Sequence, residues 1–336
     1  MMQLHELCKV RNAMNEDSGY HNRGYCTAIV KKVNKASVRV ALVDSFYKES
    51  PQMFLVQLKD VWKLKASRRN VLQRKIARAT VTVDKSFVND LCEAMPPMKL
   101  GPILQYVNEQ MYGLNVIAKI NFGHLHTVVN IAYDSVVNFT GDAIVNAANE
   151  GCIGGGGIDG YINHCGGEML RQARKELPLL EHGIRCCTGN AVTTIAGALP
   201  CKFVIHAVGP QFSVQNETHA ADLVRLKNAY SNALLRAEEK SLKSIGFCLI
   251  SAGIYRGNCS LKEVIGVGLD SILSHVNRNQ KLYELGKELN WNAETQDKIS
   301  SLDKIFFCVY THEELIALNE IVDEKSKAGF FHVVEG

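Results

Sequence analysis

Residues 142–167, DAIVNAANEGCIGGGGIDGYINHCGG, hold four consecutive glycines, Gly154 to Gly157, between an apolar strand-like run and a helix-like one. A stretch without Cβ atoms lets the backbone take positive φ and come close to a ligand. Its N–H groups, with the N-terminus of the helix that follows, form an anion site suited to a diphosphate. An ordinary strand-to-helix turn needs one or two glycines, not four. No GK[ST] follows, which excludes a P-loop, and a dinucleotide-binding fingerprint would carry its acid about 20 positions further on. Here the carboxylate is Asp159, two residues after the last glycine. That spacing puts it at the mouth of the expected phosphate site, beside whatever group the phosphates carry.

A second segment, CLISAGIYRGN (248–258), repeats the logic: an apolar strand, a small-residue turn with Gly253 and Gly257, then an amphipathic helix. Two such turns at adjacent strand ends would clamp a diphosphate from both sides, where open α/β sheets bind ligands. Tyr255, between the glycines, has two readings, stacking on a sugar or packing in the fold.

The elements that must position these loops alternate along the C-terminal part of the chain. Strands are expected at 126–132, 143–147, 202–208, 245–250 and 304–310, and amphipathic helices at 158–176, 220–240, 260–276 and 311–325. Strand and helix in alternation predict a layered α/β fold. Residues 277–303 are polar and poorly periodic and read as an insertion, and 326–336 as a tail. Upstream, 24–33, 36–44 and 53–64 are short β-rich runs that predict a small antiparallel barrel within 1–66. Residues 67–120 read as a basic helix opening at Ser67, a second helix over 87–95 that stops at Pro96-Pro97, and a connection with a short helix over 103–111. The α/β domain is therefore expected to span 121–325.

A composition of 46% hydrophobic and 21% charged residues excludes a disordered or fibrous chain. No apolar run is long enough to span a bilayer, and the N-terminus lacks the apolar core of a signal peptide, so a cytoplasmic or nuclear protein without membrane contact is expected. The 11 cysteines are odd in number, irregularly spaced and contain no CxxC, which predicts reduced thiols. Neither Cys186-Cys187 nor His164-Cys165 has the spacing of a closed tetrahedral site, so no metal and no cofactor is expected. Residues 1–120 carry a net charge of +9 and residues 121–336 one of −5.

DAIVNAAN, GGGGIDG, VIHAVGP (204–210) and SAGIYRGN together resemble a macro domain, and the first two resemble its MacroD-type ADP-ribosylhydrolase branch. The match runs in order over about two hundred residues. It implies a three-layer α/β/α domain with a central mixed sheet that binds ADP-ribose and mono-ADP-ribosylated proteins. It also implies hydrolysis of mono-ADP-ribosyl esters on acidic side chains and of O-acetyl-ADP-ribose; the alternative is a reader that binds without turnover. By the same resemblance Asp134 would contact the adenine amine, although its gap to Asp142 is a residue longer than usual. Asn149 would bond the distal ribose, and Asn146 would brace the loop. Gly155, Gly156, Gly157 and Ile158 would cradle the diphosphate from one side, and Ser251, Ala252, Gly253, Ile254, Tyr255 and Arg256 from the other. Asp159 would orient or deprotonate the attacking water; a helix N-cap is its other reading. The chain departs from the MacroD pattern at Asn163, where a histidine is usual and His164 comes next, and at Arg256, where glycine is usual.

The N-terminal region resembles a Tudor-type barrel, in which Tyr25, Phe46, Tyr47 and Phe54 would form an aromatic cage for a methylated side chain. The basic run Lys59, Lys63, Lys65, Arg68, Arg69, Arg74, Lys75 and Arg78 would hold nucleic acid or an acidic partner, or form a solvated helix face docked on the acidic domain.

Overall fold

A computed structural model describes residues 27–34, 37–43, 53–57, 82–83, 101–123, 126–180, 183–212, 219–288 and 299–334. The chain divides into two compact units, Met1–Met98 with Lys281–Ile299 and Lys99–Gln280 with Ser300–Gly336.

In the first unit β1 (Thr27–Asn34), β2 (Ser37–Val43) and β3 (Met53–Gln57) form an antiparallel meander, and β4 (Thr82–Val83) adds to β1 in parallel. Among the described residues this sheet runs β3-β2-β1-β4 and ends at β3 and β4 without closing, so the expected barrel is not seen. Phe54 lies in β3; Tyr25, Phe46, Tyr47 and the basic stretch 59–78 lie outside the described residues.

The second unit is a nine-stranded mixed sheet in the order β13 (His332–Val334), β5 (Ile103–Met111), β6 (Leu114–Asn121), β7 (Val128–Tyr133), β12 (Lys304–Val309), β11 (Ser244–Phe247), β8 (Ala143–Ala148), β10 (Phe203–Val208), β9 (Ala191–Ile195). Its centre is β7, β12, β11, β8 and β10, each parallel to the next. These elements fall within a few residues of the expected ones. The pleat divides the strands between two cores. Ala143 and Val145 of β8, with Ile305, Phe307 and Val309 of β12, pack against α2 (His219–Glu239), α3 (Leu261–Glu288) and α4 (His312–Lys327). Ile144 and Phe306 point the other way, toward Ile162 and Leu170 of α1 (Gly157–Lys175). The result is the expected three-layer α/β/α arrangement.

Three expectations are corrected. Residues 103–111 form a strand, not a helix: β5 (Ile103–Met111) and β6 (Leu114–Asn121) pair as an antiparallel hairpin in the sheet. The turn is Tyr112-Gly113, both at positive φ (51° and 76°), the geometry of a two-residue hairpin loop. The tail contributes β13 (His332–Val334), parallel to β5, and Phe331 is buried beside it. The third helix runs to Glu288, well beyond 276, because its polar residues find partners: His275 Nε2 lies 2.9 Å from Glu238 Oε1 on α2, and Asn279 Nδ2 donates to the same oxygen. An edge strand that was not foreseen, β9 (Ala191–Ile195), pairs with β10.

Candidate functional site

The carboxyl ends of the parallel strands open on a cavity of about 560 Å³. Asp134 to Asn138 wall one side, Gly157, Ile158 and Tyr161 come from the start of α1, and Cys248, Leu249, Ala252 and Gly253 follow β11. Cys308, Tyr310 and Glu314 close it beyond β12. Asp134 is fixed by hydrogen bonds: Oδ1 accepts from Ser135 N at 2.7 Å and Asn138 Nδ2 at 2.9 Å, and Oδ2 from Asn115 N on the hairpin at 3.2 Å. Burial pushes the Cys248 thiol up to about 12 and Cys308 well above its ordinary value, so neither supplies a thiolate here.

The glycine run reaches the cavity at Gly157. Gly155, Gly156 and Gly157 are all exposed, with Gly156 at the N-cap of α1, and Gly154 and Gly157 take φ of 140° and 57°. Asn149 is turned into its own loop, donating from Nδ2 to Gly154 O at 2.8 Å and accepting from Cys152 N at 3.1 Å.

Asp159 is not at the mouth. It lies beneath the glycines, 3% exposed, in the first turn of α1, and it makes no capping bond. What draws it inward is Arg174, fully buried fifteen positions on and beyond the break in α1 at Gly167 (φ 68°, ψ −160°), whose Nη1 lies 2.7 Å from Asp159 Oδ1. Arg174 Nε also donates to Cys152 O at 2.6 Å, which ties the glycine loop to the same charge. Asn163, where histidine was usual, sits against this pair, with Oδ1 3.4 Å from Arg174 Nη1.

Behind the pair runs a polar chain that strand register assembles. Asn146 and His206 are cross-strand neighbours on β8 and β10, both fully buried on the α1 face. Asn146 Nδ2 donates to Asp159 Oδ1 at 2.7 Å and lies 3.1 Å from His206 Nδ1. Thr194 Oγ1 donates to Ile195 O and lies 2.9 Å from His206 Nε2, so this nitrogen carries the proton and Nδ1 accepts. Burial, and then the Arg174 charge, hold His206 well below its usual pKa and therefore neutral. Asp159 Oδ2 has no partner among the described residues and faces Gly155, where a Cβ would stand 2.9 Å away.

The second loop is held by backbone contacts. Ser251 takes φ 58° and donates from Oγ to Pro210 O at 2.7 Å, and Tyr255 O accepts from Phe212 N at 2.8 Å. Tyr255 and Arg256 are half-buried and Ile254 is 83% exposed. Arg256 Nη1 donates to Cys259 O at 3.2 Å, closing its own loop. Of the residues expected to touch ligand, Asp134, Gly157, Ile158, Ala252 and Gly253 line the cavity; Asn146, Asp159 and Ser251 are buried.

Sequence reasoning missed Arg174, His206 and Thr194. A signal exists for the first: Arg174 lies four positions after the core residue Leu170, on the buried face of the helical segment that follows Gly167, where a charge needs a partner. A Macro domain family model matches residues 145–265. The chain is 39% identical over 128 residues to a macro domain-containing protein of Streptomyces griseus, covering 38% of this chain and 70% of that protein. It is 43% identical over 111 residues to one of Cupriavidus necator (33% of this chain, 61% of that one). It is 44% identical over 111 residues to an O-acetyl-ADP-ribose deacetylase of an Enterobacter strain (33% and 59%). The chain thus spans about three-fifths of the length of the last two relatives. A solved Oceanobacillus iheyensis macrodomain with ADP is 28% identical, with a TM-score of 0.49, covering 62% of this chain and 96% of that one.

Proposed function

We propose, from the premise that this chain belongs to the macro domain family, that its cavity binds ADP-ribose and that the protein hydrolyses ADP-ribosyl esters. The observation that carries the proposal is the start of α1, where Gly155, Gly156 and Gly157 are exposed and Gly157 and Ile158 line the cavity together with Ala252 and Gly253. Backbone N–H groups at a helix N-terminus, unobstructed by side chains, are suited to a diphosphate. Asp134 stands on the opposite wall, fixed for contact with the adenine amine. The relatives named O-acetyl-ADP-ribose deacetylase support the hydrolase reading.

In the reaction, the oxygen of water bonds to the anomeric carbon of the distal ribose as the bond to an acidic side chain breaks. One water proton passes to the departing carboxylate, and ADP-ribose and a free side chain result. On O-acetyl-ADP-ribose the corresponding products are acetate and ADP-ribose. Asp159 would act through Oδ2, an anionic acceptor buried beneath Gly155, and it orients the water or a ribose hydroxyl only once that glycine moves aside. Asn146 and Arg174 hold its other oxygen still, which is the pre-organisation such an acceptor needs.

The test is release of ADP-ribose from acceptors modified on Asp or Glu and from O-acetyl-ADP-ribose, with calorimetry on ADP-ribose in parallel. Gly156→Glu is the control, because a Cβ at this residue meets nothing within 4 Å and its φ of −93° suits any residue. It should abolish binding and release together while the protein stays folded. Binding without release would favour the second reading, a reader, which the burial of Asp159 in an ion pair supports. The charge of +9 on residues 1–120 supports an added nucleic-acid contact, to be tested by salt-dependent binding to the full chain.

A further inference from the structure

Three side chains of metal-ligating type meet where α2 and α3 begin. His219 is the first residue of α2, Cys259 follows the second loop, and Glu263 lies in the first turn of α3. Their donor atoms all lie within 4.8 Å of one another. His219 Nε2 is 3.0 Å from Glu263 Oε1, and Cys259 Sγ donates to Glu263 Oε2 at 3.2 Å. A tetrahedral zinc with bonds of about 2.0–2.3 Å places its ligand atoms roughly 3.3–3.7 Å apart, so small side-chain rotations complete the geometry.

We propose that His219, Cys259 and Glu263 bind a single divalent transition metal of the zinc class, clipping the start of α2 to the end of the second loop. The donor set decides the metal class. A thiolate with an imidazole suits zinc, whereas magnesium and calcium take oxygen ligands. The hydrogen on Cys259 that now bridges to Glu263 is the one the metal displaces: it leaves for solvent as the sulfur–metal bond forms. The Nε2 hydrogen of His219 is lost or moves to Nδ1, freeing a lone pair.

The scaffold is already rigid around these groups. Ser260 Oγ accepts from Glu263 N at 3.1 Å and so starts α3, and the Phe212 ring lies 5.8 Å from the His219 ring. Arg256 bonds the Cys259 carbonyl. Cys259 is buried, but the side chains of His219 and Glu263 are 32% and 39% exposed, so the metal enters from their side and keeps its fourth position toward solvent. Metal held here fixes the base of the loop that carries Gly253 and Tyr255. Because metal binding is read without any ADP-ribosyl compound, its outcome and that of the ADP-ribose reading are independent.

The experiment uses the full reduced chain, stripped with chelator and titrated with Co²⁺ and then Zn²⁺. The expected result is a single bound metal, a thiolate-to-cobalt charge-transfer band, and displacement of cobalt by zinc. His219→Gln and Cys259→Ser should each weaken zinc binding by about 100-fold or more, at or above the loss seen on removing outer-shell partners. Cys187→Ser, at an exposed cysteine elsewhere, should change nothing. Cobalt binding without the thiolate band, or parental zinc affinity in His219→Gln, overturns the proposal. His219→Gln decides the matter should Cys259→Ser fail to fold, since position 219 is partly exposed and circular dichroism would report an intact fold.

Discussion

The two loops that face each other across the cavity are built on opposite physical plans. The 154–157 loop is backed by charge: Arg174 and Asp159 form an ion pair with side chains 0% and 4% exposed, Arg174 reaches up to Cys152 O, and Asn146 and neutral His206 stand behind. The 251–257 loop is backed by shape: Gly257 at φ 55° fits against the Phe212 carbonyl, and Ser251 and Tyr255 are bonded to backbone groups. Each loop has a glycine with room to spare, Gly156 in the first and Gly253 in the second, but a buried ion pair lies behind the first and a close backbone contact at Gly257 behind the second. A loop that must leave its amides free for an anion is best stabilised from below by side chains.

The largest effect should come from the buried pair. Arg174→Met leaves Asp159 as a buried uncompensated charge, and breaking such a pair typically costs about 3–5 kcal/mol. Chemical denaturation should show that loss, and Asp159→Asn on the same background should restore much of it by removing the stranded charge. If the double variant is no more stable than Arg174→Met alone, the pair is not what holds the first loop.

A smaller effect separates the loops by their glycines. Gly257→Ala would put a Cβ 2.4 Å from Phe212 O at a left-handed φ, a strain of about 1–3 kcal/mol. Gly156→Ala should leave the unfolding midpoint unchanged, since nothing lies within 4 Å of its Cβ. Equal costs at the two sites would remove the distinction between a loop held by shape and one held by charge.

The smallest effect is the acid sensitivity of the first loop. His206 has its pKa depressed by burial and Arg174, so the folded state holds it neutral while the unfolded chain takes up a proton below about pH 6.5. Its contribution is complete above that pH and is lost as pH falls, by about 1.4 kcal/mol at one unit below. His206→Gln should therefore flatten the dependence of the unfolding midpoint between about pH 7.5 and 5.5, relative to its own value at neutral pH. An unchanged slope would mean that other groups set the acid response.

The elements that were misread show where local pattern runs out. The hairpin over 103–121 carries a period-2 burial pattern in β6, but its turn is Tyr-Gly rather than the usual Asn-Gly, and its outer strand is polar. Only pairing with β6 on one side and β13 on the other makes that strand part of the sheet. The polar end of α3 reads as an insertion from residue 277 because its periodicity is weak; Glu238 on α2, which also meets His275, supplies the partner that keeps Asn279 helical.

The local chemistry is legible in the sequence alone: two turns whose small residues leave the backbone unobstructed, and strands and helices that alternate around them. Glycine spacing and hydrophobic period are properties of neighbouring residues, so they can be read along the chain. Which polar side chains share the interior is a matter of packing between elements distant in the chain. Asp159 meets Arg174 because the chain breaks at Gly167 (φ 68°, ψ −160°) and the two helical segments on either side of it come together, Asn146 meets His206 because β8 and β10 pair in that register, and His219 meets Cys259 and Glu263 because two helices start side by side. Burying a charge or a polar group is costly unless a partner is within hydrogen-bonding reach, and packing alone brings such partners together.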